Sequence, residues 1–249
     1  MKKDLLLLQL KKYEEDYKKF MDIEEFPAYK LQTREVSLSL SDMRGFEVAA
    51  STHYLPQEKQ HSLLISTNLR LIKYLMFHEF THMLDAEMYV RGDKSRYAGL
   101  SGYTEYHASQ VELVQLLGAN SINETEQFSM NTIIRTLAGE KTVHQYVEEK
   151  YNHAITLFSR ADFPADINTL KSALGVLFNY YGLRSICEMY AVDYEEVVDN
   201  EAFIKFIPTQ LFVMMNNLMH GWMDEEKIEK SILVYVNIIY PLVQEYRLV

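Results

Sequence analysis

At 249 residues and 48% hydrophobic composition, the chain can enclose a sizeable core in one large domain or two small ones. Its 25 Lys and Arg stand against 35 Asp and Glu, a formal charge of −10, which argues against nucleic acid as the main partner. A single cysteine, Cys187, excludes an intrachain disulfide and fits a reducing compartment.

The first segment, MKKDLLLLQLKKYEEDYKK, reads as an amphipathic helix rather than a signal peptide. Its apolar run, Leu5 to Leu8, is short, and charge returns at Lys11. No window approaches the ~18 apolar residues that a bilayer span requires, so the expectation is a soluble cytoplasmic protein with no membrane partner. Phe26 and Pro27 interrupt the helical pattern. Residues 34–41, REVSLSLS, alternate apolar and polar and predict a strand with one buried face. Arg44 and Gly45 mark a turn, residues 46–55 predict a second strand closed by Pro56, and residues 61–66, HSLLIS, a third. From Asn68 to about Val90 the pattern predicts one long apolar helix.

Residues 91–103, RGDKSRYAGLSGY, hold three glycines and predict a loop long enough to suspect of function. A helix follows and ends at Gly118. Beyond it, residues 124–137, 142–160, 165–181, 183–191, 199–219 and 225–246 predict helices, with Pro164, Gly182 and Gly221 near the breaks. The expected fold is α+β, with a small sheet and a long helix in residues 1–120 and an all-helical region in residues 121–249.

The chemistry concentrates in FHEFTHMLD, Phe77 to Asp85. On a helix, His78 and His82 lie one above the other and can share one ion. Glu79 is offset by about 100°, beside such an ion rather than on it. H-E-x-x-H supplies two zinc ligands and a general base, and at this composition it arises by chance with probability ~0.02. Zinc lowers the pKa of a bound water toward about 7, and Glu79 is placed to take that water's proton. A catalytic zinc takes three protein ligands. A third histidine six residues past His82 is lacking, since that position is Met88, and Asp85 stands where that pattern has glycine. A carboxylate from a later helix remains. Glu105 and Glu112, seven apart, share a face. Glu87 turns away from the histidines, and Glu124 and Glu126 follow the helix break.

HEFTHMLD followed by EYHASQVE resembles the gluzincin metallopeptidases. Within them it resembles the branch of the anthrax lethal factor catalytic domain and the MtfA peptidases, which pair HEFxHxxD with ExxAxxxE. The ImmA/IrrE-like peptidases resemble it more loosely. The likeness covers roughly residues 61–117. It implies a zincin-like N-terminal half, Zn2+ as cofactor, a peptide or protein substrate, and Glu105 as third ligand, with Ala108 and Glu112 at the other fixed positions. His107 departs from the pattern and is a rival ligand.

Asp85, one turn past His82, is a candidate to accept the free ring N–H of a ligand histidine. Peptide hydrolysis builds charge on the carbonyl oxygen, and a Tyr or His donor commonly meets it in related enzymes. Tyr97 and Tyr103 are the candidates, both just before Glu105. Residues 46–53 are the strand expected to pair with substrate. His53 and His61 read as surface or turn residues. A second reading of the whole chain is a catalytically silent zincin-like protein that binds a partner.

Overall fold

The computed structural model describes residues 3–35, 49–90, 92–196 and 200–248. The strand expected at 34–41 falls outside these residues beyond position 35, as do positions 46–48 of the next. The fold is α+β and divides into two units, Met1–Tyr97 with Val111–Thr125, and Ala98–Gln110 with Glu126–Val249.

The first unit holds α1 (Lys3–Met21), β1 (Tyr29–Arg34), β2 (Ala50–Leu55), β3 (Gln60–Ser66) and α2 (Lys73–Asp85). The sheet order is β1-β3-β2, with β1 parallel and β2 antiparallel to β3. His61 pairs with Tyr29 on one side and Tyr54 on the other. Leu63 and Ile65 are fully buried while Ser62 and Leu64 are half-buried, the period-2 pattern of a strand with one face on the core.

Helix α2 starts at Lys73, later than its apolar run suggests, and passes into a π-helical turn at Ala86–Val90. Phe77, Phe80, Thr81 and Leu84 recur at the spacing of one helix face and are buried. Tyr17 and Phe20 of α1 meet that face edge-on, with Tyr17 centred 5.2 Å from Phe77 and 5.5 Å from Phe80. Each buried aromatic contributes about 1.5–3 kcal/mol and each edge-on pair about 0.5–1.5 more. The Tyr17 hydroxyl lies 3.0 Å from Thr81 Oγ1. Driving this face into the core turns His78, Glu79 and His82 to the other side, where each is half-buried.

Helix α3 (Lys94–Leu116) contributes to both units. The second unit adds β4 (Ile133–Thr136), β5 (Gly139–Thr142), α4 (Val143–Phe158), α5 (Ile167–Tyr190), α6 (Glu201–Ile204), α7 (Thr209–Leu218) and α8 (Glu225–Glu245). Four expectations are corrected. Residues 94–103 are helix, not loop, with the Asp93 carboxylate accepting from Ser95 N at 2.7 Å as its cap. Residues 133–142 form a β-hairpin that turns at Gly139 with φ of +112°, so this region is not all-helical. Residues 167–190 are one helix that runs through Gly182. Residues 199–219 are divided by Pro208 into α6 and α7.

Glycine explains two of these corrections. Gly99 and Gly102 are contact points for α8 and α5: a Cβ would fall 2.7 Å from Ile232 Cγ2 and 2.8 Å from the Phe178 ring. Gly182 meets the backbone of α3, where a Cβ would fall 2.9 Å from Ser109 Cβ and closer still to the Tyr106 carbonyl. The buried Arg184, two residues on, is neutralised by Glu188 at 3.2 Å and Glu196 at 3.0 Å. No helix among the described residues is long and apolar enough to cross a membrane.

Helix propensity alone makes Gly182→Ala stabilising by about 1 kcal/mol. The contact with Tyr106 reverses the sign, and a loss of about 1–3 kcal/mol is expected in urea denaturation.

Candidate metal centre

Helix α2 presents two imidazoles on its half-buried face, with ring centroids 4.7 Å apart and planes at 81°. One ligand atom each from His78, His82 and Glu105 lie within 4.8 Å of one another, and this is the one such group found among the described residues. His107, two positions along α3 from Glu105, is not in it. That ring stacks on Tyr103 at 5.5 Å and meets Trp222 edge-on at 6.2 Å. Two residues on a helix is about 200° of rotation, which separates the two side chains.

Glu112 lies two turns beyond Glu105 on the same helix and is almost fully buried. Its Oε2 stands 2.8 Å from His78 Nδ1. A carboxylate at that distance favours hydrogen on Nδ1, which leaves Nε2 as the atom able to bind a metal, although the contact falls outside hydrogen-bond alignment. The spacing that made Glu112 an alternative ligand therefore places it against His78 instead. Asp85, expected in that supporting role, is fully buried at the end of α2, and its charge acts on the Tyr17 phenol. Burial pushes that phenol well above its ordinary pKa, the Thr81 hydrogen bond opposes the rise, and Asp85 adds to it.

Glu79 Oε2 accepts a hydrogen bond from Thr52 Oγ1 at 3.0 Å. Thr52 belongs to β2, so the sheet fixes the carboxylate that follows the first histidine. The Tyr97 hydroxyl accepts from the Tyr54 backbone N–H, also of β2, at 3.3 Å, and its ring packs edge-on against Tyr54. Burial raises the Tyr97 pKa and that backbone bond lowers it, with a net rise that keeps the phenol protonated. Tyr103 is buried against His107.

The other histidines stand apart from this group. His53 is exposed on β2. His61, expected at the surface or in a turn, is buried in β3, stacked on Tyr54 at 4.4 Å, with Nε2 3.1 Å from Glu87 Oε2. Burial holds its pKa below the ordinary histidine value, outweighing the upward pull of Glu87.

Two imidazole nitrogens and a carboxylate oxygen are the donor types of a three-ligand zinc site. Tetrahedral bonds of about 2.0–2.2 Å need ligand atoms about 3.4 Å apart. The three atoms lie within 4.8 Å of one another, with Glu105 supplying the carboxylate oxygen. Gly175 leaves one side of this carboxylate clear, since a Cβ there would touch Oε1 at 3.4 Å. The donor types thus fit the ion. No protein-family model, curated protein or solved structure significantly matches the chain.

Two outcomes follow. Glu112→Gln is expected to weaken zinc binding by about 10–100-fold in competition with a chromophoric chelator, with the fold retained. The folded state prefers neutral His61, so its contribution is complete above the unfolded-state value of 6.5 and declines as pH falls below it. Urea midpoints are expected to drop between neutral and mildly acid pH, and less steeply in His61→Phe.

Proposed function

We propose that this protein is a zinc metallopeptidase of the gluzincin type, with His78, His82 and Glu105 as ligands and Glu79 as general base. The observation that carries the reading is the closeness of those three ligand atoms, two of them on the helix whose Glu79 is separately held by Thr52. A zinc ion in this setting supplies a Lewis acid that polarises a carbonyl and acidifies water.

The protein's own groups account for the proton movements. Glu79 takes a proton from the attacking water as its oxygen bonds to the peptide carbonyl carbon. When the C–N bond breaks, the same carboxylate returns that proton to the leaving nitrogen. The Thr52 hydroxyl bonds Oε2 and so sets how the carboxylate is presented. The Tyr97 hydroxyl accepts from the Tyr54 amide, so its own hydrogen is available to donate to a developing oxyanion. Tyr103, buried against His107, is the second candidate. A cytoplasmic setting agrees with the lone Cys187, whose thiol burial pushes up to about 12.

The test is a random peptide library incubated with zinc-loaded protein. Glu79→Gln is expected to lower the cleavage rate by about 10²–10⁴-fold with zinc content unchanged. Equal cleavage by both proteins would remove Glu79 as the base and the reading with it.

A further inference from the structure

A closed circuit of contacts runs from the end of the histidine helix to Tyr97 and back. Glu87 sits in the π-helical turn that continues α2, and its Oε2 lies 3.1 Å from His61 Nε2 on β3. The His61 imidazole stacks on the Tyr54 ring of β2 at 4.4 Å. The Tyr54 amide donates to the Tyr97 hydroxyl at 3.3 Å, and the two phenol rings meet edge-on at 5.6 Å. Arg96, next to Tyr97, returns to the π-helical turn, where its Nε donates to the Tyr89 carbonyl. The Asp93 amide ties the intervening segment to the Val90 carbonyl at 3.0 Å. Thr52, two residues before Tyr54 on the same strand, bonds Glu79. One strand thus positions both the base and the tyrosine.

His61 is the member of the circuit whose ordinary pKa lies closest to neutrality. It is buried, while Glu87 is exposed. The titratable groups facing it are Glu87 from the turn, Tyr54 from β2 and Tyr29 from β1, the last two being its register partners. The Tyr29 hydroxyl donates to Glu14 at 3.0 Å. An ionised carboxylate only accepts, so His61 Nε2 carries the hydrogen and Nδ1 keeps a lone pair. That Nδ1 is buried and meets no hydrogen-bond partner among the described residues. Protonation adds a second N–H at this atom, and a buried donor without an acceptor is costly. The charged imidazole relieves that cost by shifting off the Tyr54 stack. Burial accordingly holds the His61 pKa below the ordinary histidine value, against the pull of Glu87.

We infer that His61 is a positioning residue for Tyr97, holding the Tyr97 hydroxyl on the Tyr54 amide while the imidazole is neutral and releasing it when the imidazole is protonated. The consequence is an acid limb in the cleavage rate set by a residue outside the metal group. That effect on rate rests on the peptidase reading above. The coupling of His61 to Tyr97 does not.

Two measurements test it. The first needs no substrate. In the full chain equilibrated with zinc, the His61 imidazole is titrated by NMR alongside hydrogen exchange at the Tyr54 amide. The protection factor of that amide is expected to fall at least about tenfold across the His61 midpoint. It is expected to stay level over the same range in His61→Phe, which keeps a ring on Tyr54. Protection that ignores the His61 titration, or falls equally in His61→Phe, overturns the inference.

The second follows peptide cleavage against pH. Glu87 raises the His61 pKa, and Glu87→Gln keeps an oxygen for the Nε2 hydrogen while removing the charge. The acid limb of kcat is therefore expected to move down by about 0.5 pH unit or more in Glu87→Gln. A merely structural role for Glu87 lowers kcat at every pH and leaves the limb in place. In a Tyr97→Phe background, which lacks the hydroxyl, the same substitution is expected to leave the limb unmoved. A limb that stays put in Glu87→Gln, or moves equally without the Tyr97 hydroxyl, contradicts the inference and leaves the peptidase reading intact. No cleavage by wild type would sink the peptidase reading and the effect on rate with it, and the exchange measurement then decides the coupling by itself.

Discussion

The 2.8 Å pairing of His78 Nδ1 with Glu112 Oε2 is the contact on which the rest of the candidate site depends. Both groups are largely buried, so the attraction is screened little by water. It fixes the orientation of the first imidazole and joins α2 to α3. Helix α3 is continuous, so fixing the rotation of Glu112 also fixes that of Glu105, seven residues earlier on nearly the same face.

A division between rigid support and reactive groups follows. The aromatic face of α2 locks onto Tyr17 and Phe20, which leaves the opposite face no freedom to turn. On that opposite face Glu79 is held by the Thr52 hydroxyl of β2. β2 thus carries three tasks through two positions. Thr52 holds Glu79, the Tyr54 amide engages Tyr97, and the Tyr54 ring covers His61. A sheet suits this work because its residues are spaced by a fixed rise and alternate faces.

Much of the site was legible because its signals are local. Two histidines and a glutamate on one turn of helix specify their own geometry, and the 105/112 spacing needs only helical periodicity. The resemblance of HEFTHMLD and EYHASQVE chose Glu105 over Glu112, and Glu105 is the carboxylate of the group that could hold an ion. What stayed hidden depends on contacts distant in sequence. Nothing local in ASTHYL marks Thr52 as the partner of a residue 27 positions later. Gly99, Gly102 and Gly182 read as breaks because local rules price glycine by its freedom. Here the missing side chain permits close helix contact, a property of the partners Ile232, Phe178 and Tyr106. The β4–β5 hairpin was missed because its short strands, IIRT and GEKT, are too brief to show period-2 alternation.

The central claim is that His78, His82 and Glu105 together hold one zinc ion. X-ray absorption at the zinc edge, on purified protein equilibrated with zinc and dialysed, tests it most directly. The account predicts one zinc per chain bound by two imidazoles and oxygen donors, with Glu105→Ala losing the ion and His107→Ala retaining it. A protein that binds no zinc, or a zinc shell with three imidazoles that disappears in His107→Ala, would contradict it.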